Sequence, residues 1–284
     1  MTTSPTLQAK LPTSAARGFT LVEMAIVLAI VGVLVTSMMF TLSAQIEQRS
    51  FNDTQSRLES ARDAILAYAI ANGRLPCPAT SASAGAEVRL GPAGACGPLS
   101  PTDPAFDYYG GVSGGVTGGL LPAVTLGYQP IDSSGFALDG WGNRIRYAVS
   151  RVTTPSYPAN FTNKANMQTN GLTVLPNDLI VCASATGIVP GGSPPSCGAS
   201  ASNSVTNQTT VVALLYSPGK NGTTAVTLGT DEAANENRSG ANDAVFIYHT
   251  PAPTTAANGE FDDQTLWITV GTLYSKLLAA GVLP

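Results

Sequence analysis

Three groups of residues in this sequence are of types that can do chemistry. The first is Gly18-Phe19-Thr20-Leu21-Val22-Glu23, which places one carboxylate at the mouth of a segment with no charge from Met24 to Leu42. A carboxylate in lipid costs roughly 2.5–3.5 kcal/mol at mid-membrane on insertion scales, and less near the interface. A chain that carries one should have a partner for it. The second group is acidic: Asp262 and Asp263 in the loop Gly259-Glu260-Phe261-Asp262-Asp263, and Asp231, Glu232 and Glu236 earlier in the chain. Neither stretch has EF-hand spacing. The third is Gly111-Val112-Ser113-Gly114-Gly115, which matches the G-x-S-x-G letters of a nucleophile elbow. That motif works only between a buried strand and a helix, with a histidine partner. Neither flank is present, and His249, the sole histidine, reads as a polar residue at a strand end. Phe106-Asp107-Tyr108-Tyr109 reads as an aromatic cover for its own core, with stacking on a base or sugar as the minority view.

The four cysteines, Cys77, Cys96, Cys182 and Cys197, all lie beyond the apolar segment and fall into two local pairs. An even count in an exported domain favours disulfides. The expected bridges are Cys77–Cys96 and Cys182–Cys197, each closing a Gly/Pro-rich loop. Zinc is the rival reading, weakened by the absence of C-x-x-C and by the distance of His249 from both pairs.

These groups need elements to position them. Residues 1–18 read as a targeting leader, because the small residues Ala15-Ala16 precede the apolar run. An ordinary secretory signal carries its small-residue cleavage site after that run. Residues 19–42 read as a membrane helix, since about 24 residues at 1.5 Å each span a bilayer core of roughly 30 Å. Helical periodicity continues beyond it through Ile46, Leu58, Ala61, Ile65, Leu66 and Ala69. Asn72-Gly73 is a C-cap and Pro76 cannot continue the helix. The helix therefore spans 19–72, about 80 Å if unbroken.

Residues 73–284 form the expected exported globular domain. Its first part, 74–137, reads as an irregular surface insertion stapled by the first cysteine pair. Asp139-Gly140-Trp141-Gly142-Asn143 reads as a tight turn that delivers an aromatic into the core before a strand. Strands are expected at 144–149, 178–183, 209–216, 244–248 and 266–270, in a mostly antiparallel sheet, with a short helix from Leu273 to Ala280.

With 284 residues the chain is long enough for one or two cores. Only 11% of its residues are charged, while Gly (29) and Pro (20) are frequent, which argues for a turn-rich domain and against a helical bundle. Removal of 1–18 takes Lys10 and Arg17 from the 14 basic residues and none of the 18 acidic ones, so the net charge moves from −4 to −6. A mildly acidic surface argues against general nucleic-acid binding.

The opening, a basic leader, then Gly18-Phe19-Thr20-Leu21-Val22-Glu23 and a long apolar helix, resembles the class III signal of type IV pilins and type II secretion pseudopilins. The resemblance covers about the first tenth of the chain. It implies cleavage between Gly18 and Phe19 by prepilin peptidase, N-methylation of Phe19, and pairing of Glu23 with the terminal amine of a neighbouring subunit. It implies an α+β pilin-like roll, in which the first half of the long helix packs in a filament core and the second half backs an antiparallel sheet, with disulfide-closed loop insertions. Asp139-Gly140-Trp141-Gly142 is similar to the Asp-Pro-Trp-Gly segment of major pseudopilins, with Gly140 where Pro is usual. Those pseudopilins hold calcium in a late loop, so the resemblance offers calcium at Asp262 and Asp263, where hard oxygens gather. No other cofactor is implied. Phe40 stands where many type IV pilins have a helix-bending proline, which leans towards a pseudopilin or a divergent minor pilin.

The resemblance further implies a structural subunit and not an enzyme. Its partners would be the peptidase and other pilins or pseudopilins in a helical filament. Its place would be the bacterial inner membrane, single-pass with the C-terminal domain in the periplasm, then a pilus or pseudopilus. Two alternatives stand beside it. One is a pilin-anchored adhesin or DNA-uptake tip module with 74–137 as its binding part. The other is a membrane-anchored periplasmic enzyme, weakened by the single histidine.

Overall fold

The computed structural model describes residues 18–91, 94–97, 106–113, 115–152, 159–189, 195–222, 228–236 and 244–283, without the side chains at 37–44 and 113. The expected leader lies outside the described residues except for Gly18. The chain divides into two compact units, one ending at Gln48 and the other beginning at Arg49.

Helix α1 (Leu21–Asn72) is a single helix of 52 residues. It starts one residue after a threonine cap. It stops where Gly73 takes φ +69° and donates its N–H to Ala69 O at 2.8 Å. In the first unit every large apolar side chain from Leu21 to Val35 is 48–86% exposed. Among the described residues no helix is long and apolar enough to cross a membrane. The expected span runs on to Leu42, and its last part falls on side chains outside the description.

The second unit is an α+β fold. In chain order its elements after α1 are β1 (Arg89–Leu90), β2 (Ala95–Cys96), α2 (Phe106–Tyr109), β3 (Gly111–Ser113), β4 (Val116–Gly118), α3 (Ala123–Leu126) and β5 (Arg146–Val149). Then come α4 (Lys164–Asn170), β6 (Ile180–Cys182), β7 (Val211–Ser217), α5 (Thr230–Asn235), β8 (Val245–Ile247), β9 (Gln264–Thr269) and α6 (Val270–Ala279).

Its main sheet has the order β5-β7-β9 and is antiparallel throughout, with Arg146 opposite Tyr216 and Ser217 opposite Gln264. All seven residues of β7 are buried. A strand covered on both faces reads as a continuous apolar run, and Val211-Val212-Ala213-Leu214-Leu215-Tyr216 is one. Leu58, Ala61, Ile65, Leu66 and Ala69 of α1 share one core with that strand and with Leu273, Tyr274 and Leu277 of α6. Five methyl- or butyl-bearing side chains at three- and four-residue spacing put the stripe from Leu58 to Ala69 on the core, while Ile46 in the first unit is exposed.

Two expectations need correction. The pair β6–β8 is parallel, with Ile180 opposite Val245, and forms a small second sheet. The segment 74–137 is no surface insertion in its described parts. Leu75, Cys77, Tyr108, Tyr109, Leu121, Ala123 and Tyr128 are all buried in the main core. Leu75, Cys77, Leu121 and Tyr128 enter from loops, and Tyr108, Tyr109 and Ala123 from helices of four residues, so no periodic pattern announces them. A largely buried ion pair helps to hold this segment on α1: Arg74 Nη2 lies 2.7 Å from Glu87 Oε1, and Tyr68 of the helix donates its hydroxyl to the same carboxylate at 3.0 Å. Glu87 also accepts the N–H of Cys77 at 2.9 Å. Cys77–Cys96 and Cys182–Cys197 are both bonded, and all four cysteines are buried.

Candidate functional site

The start of α1 is built by two residues. Thr20 donates its N–H to Glu23 Oε2 at 2.8 Å and its hydroxyl to the same oxygen at 2.9 Å. Glu23 returns its N–H to Thr20 Oγ1 at 3.2 Å. This is a reciprocal capping box, in which two of the orphan donors at a helix start are satisfied. It also sets a negative charge in the first turn, where the helix dipole favours one. The lone acid of the apolar run thus has a partner inside its own chain. The signal was in the sequence as Thr-x-x-Glu, and the spacing alone would have given it. Beside the cap, Phe19 is 83% exposed and the charge-free helix carries its large side chains outward. Contiguous apolar surface of this extent marks contact with a membrane or with another protein.

A turn in the second unit fixes where α1 meets the domain. Asp139 is buried, and its Oδ1 accepts the N–H groups of Trp141 at 2.9 Å and Asn143 at 2.7 Å. Ser217 donates its hydroxyl to Oδ2 at 2.5 Å. Burial pushes the carboxyl above its usual range, against the pull of those donors. Gly140 donates its N–H to Thr54 Oγ1 at 2.8 Å, and a Cβ there would lie 2.2 Å from Ser50 O. Only glycine lets this turn touch the helix backbone. Arg57 completes the junction, donating from Nη1 to Leu138 O at 2.9 Å and Asp139 O at 2.7 Å. Trp141 is only half-buried and lies outside the core, which corrects the expectation that the turn delivers it there. The turn delivers its backbone to the helix instead.

The acidic residues regroup in space. Carboxylate oxygens of Glu232, Asp262 and Asp263 lie within 4.8 Å of one another. Glu232 is on α5, while Asp262 and Asp263 lead into β9, so the two sequence clusters form one site. Asp262 Oδ2 accepts the N–H of Lys220 at 3.0 Å, and its buried Oδ1 has no hydrogen-bond partner. Burial, then the charge of Glu232, raises the Asp262 carboxyl to about 7. Burial also raises Asp263 well above the carboxylate range and raises Glu232. Three acids with an orphaned oxygen among them form a hard-oxygen donor set that suits a cation such as calcium.

The other two acids of the earlier cluster go elsewhere. Glu236 Oε2 is 3.8 Å from Arg146. Asp231 is a buried hub that the sequence did not reveal. It accepts the N–H of Ala185 at 2.6 Å, the amide of Asn258 at 3.0 Å and faces His249 Nε2 at 3.2 Å.

The remaining motifs are structural in their described parts. Gly111–Ser113 form β3, paired with β4 in a hairpin, so the G-x-S-x-G letters do not join a strand to a helix. His249 stacks on Phe261 with ring centroids 3.8 Å apart. Phe106, Tyr108 and Tyr109 of α2 are buried, and the hydroxyl of Tyr109 is bound to buried Asp178. That cluster covers a core and offers no stacking face.

No curated protein and no solved structure matches the chain. One family model does, over residues 13–39, and it enfolds Gly18-Phe19, the cap and the start of the exposed apolar run. The chain therefore carries the prokaryotic N-terminal methylation motif, the class III prepilin signal of type IV pilins and pseudopilins.

Proposed function

We propose that this chain is a filament subunit, a minor pilin or pseudopilin with a pilin-like roll. Prepilin peptidase cuts between Gly18 and Phe19, and the new terminus at Phe19 is methylated. The mature subunit waits in the inner membrane, single-pass through 19–42 with its domain in the periplasm. It then leaves lipid by packing that helix among related helices.

One observation carries this reading: the exposed apolar start of α1, without a charge from Met24 to Leu42, opens on a carboxylate-capped turn inside a methylation motif. Glu23 has two jobs here. The cap takes two hydrogen bonds on Oε2, and a carboxylate has about four lone-pair sites. Acceptor capacity is left for the amine of Phe19 on a neighbouring subunit, a pairing that satisfies the charge once water is excluded. Calcium belongs to the same reading. Asp262 and Asp263, joined by Glu232, would hold it and pin the loop before β9 to α5.

Mass spectrometry of sheared filaments tests the proposal. The expected finding is a peptide that begins at N-methylated Phe19. Uncut chain confined to the inner membrane refutes it.

A further inference from the structure

A cleft of about 390 Å³ opens in the second unit beside the start of β5. Leu120, Leu138 and Pro218 give it apolar walls, and its charged lining is Asp132, Arg144 and Arg146. Ile145 and Tyr147 point into the main core. The alternation of an extended chain therefore turns Arg144 and Arg146 to the other face, with their stems about 7 Å apart. The acid of the cleft is already engaged. Asp132 Oδ1 accepts the N–H groups of Ser134 at 2.9 Å and Phe136 at 2.8 Å, and Oδ2 accepts Nε of Arg144 at 3.1 Å and its Nη2 at 2.9 Å. The arginines have donors left over, because a guanidinium carries five N–H groups and no acceptor. Arg144 gives two of them to Asp132 and lies over the ring of Phe136 at 4.1 Å. Arg146 makes one long hydrogen bond, from Nη1 to Gly118 O at 3.4 Å. Glu236 Oε2 stands 3.8 Å from its Nη2, beyond hydrogen-bond range. The Nε of Arg146 is buried with no partner, while the side chain as a whole is 18% exposed and lines the cleft. A guanidinium matched so poorly by its own fold calls for acceptors from outside it.

We propose that this cleft binds an oxyanion, a carboxylate or phosphate group, on the guanidinium of Arg146. The planar fork matches two oxygens of such a group at once. Arg144 adds a second positive charge on the same face, and the apolar walls strengthen each hydrogen bond made between them. Asp132 does not compete, since both of its oxygens are taken. The chemistry fits free phosphate and the acidic side chain of another protein alike. The site stands on the second unit by itself and does not depend on filament membership.

The test uses full-length protein in a nonionic detergent and calcium-free, phosphate-free buffer, titrated by ligand-observed NMR. The probes are inorganic phosphate, N-acetyl-glutamate amide and the neutral isostere N-acetyl-glutamine amide. Saturable binding of an anion, with the glutamine amide weaker by about tenfold or more, supports the site. Tighter binding of phosphate assigns a phosphate group, and tighter binding of the glutamate amide assigns a protein carboxylate. Arg146→Gln should weaken the anions by about tenfold or more. Arg49→Gln, an exposed residue of α1 outside the cleft, should leave them unchanged. Where Arg146→Gln loses its melting transition, Arg146→Lys takes its place; it keeps the charge, loses the fork and should bind several-fold more weakly. No saturable anion binding to the wild-type chain, or equal binding of the two amides, overturns the proposal. Unchanged affinity in the folded Arg146 variant, or an equal loss in Arg49→Gln, overturns it as well.

Discussion

Thr20 and Glu23 hold each other at the start of α1, through three hydrogen bonds of 2.8, 2.9 and 3.2 Å. The lone acid of the apolar helix is therefore satisfied before any second subunit arrives. In the proposed filament it would gain a further partner and not its first one.

That relationship separates two variants. Thr20→Ala removes the hydroxyl that caps the helix and should cost about 1 kcal/mol of local helix stability. It should lower incorporation into filaments without abolishing it. Glu23→Ala removes both the cap and the charge, and should block incorporation while leader cleavage proceeds. Immunoblots of sheared filaments beside whole cells read both effects. Normal incorporation of Glu23→Ala would refute the pairing with Phe19.

Gly18→Glu should leave the leader attached, because the peptidase must seat the residue before the cut. A gel of membrane fractions should show only the longer precursor. Gly18 is exposed, and a Cβ there meets nothing within 4 Å. Loss of processing would thus report recognition and not misfolding.

The acidic site makes stability depend on pH with a definite sign. Asp262 titrates near 7 in the folded chain against 3.8 in the unfolded one. The folded state binds more protons in between, so stability falls as pH rises through that window and then levels off. Melting temperature should drop from about pH 5 to about pH 8 without divalent cations. Calcium should restore it at the higher pH and do little at the lower. Asp262→Asn should flatten both responses. A calcium response that is equal at the two pH values would argue against this site.

Gly140→Ala tests the junction of helix and domain. The new methyl would sit 2.2 Å from Ser50 O, a backbone atom that cannot step aside. The expected loss is about 1–3 kcal/mol, read from the urea midpoint. An unchanged midpoint would mean that the turn does not rest on α1 as described.

How much of this was legible in the sequence depends on the range over which each signal acts. Helix α1 was legible from end to end, because its start, stripe and stop are local: Glu23 near one end, Leu58 to Ala69 along one face, Gly73 at the other. Strands β5 to β9 were legible to within two residues for the same reason, whereas β1 to β4, each two or three residues long, were not. The direction of β6 against β8 was not, since Ile180-Val181-Cys182 and Val245-Phe246-Ile247 are apolar runs that suit either orientation. Residues 74–137 misled because Leu75, Leu121 and Tyr128 reach the core one at a time from loops, and Tyr108 and Tyr109 from a helix of only four residues. In the acidic site, Asp262 and Asp263 were legible as neighbours. Glu232 joins them only because α5 packs beside the loop before β9, a long-range contact that no spacing encodes.

The two tryptophans stand at different stations of the second unit. Trp141 sits half-buried on the turn that grips α1, and Trp267 sits on β9 with its ring edge-on to Tyr248 at 5.3 Å. The protein thus carries its own pair of optical reporters. With Trp141 replaced by Phe, the remaining emission follows the sheet edge alone; with Trp267 replaced, it follows the grip on the helix. Release of the helix and melting of the sheet can then be timed separately in one cuvette, with no dye attached.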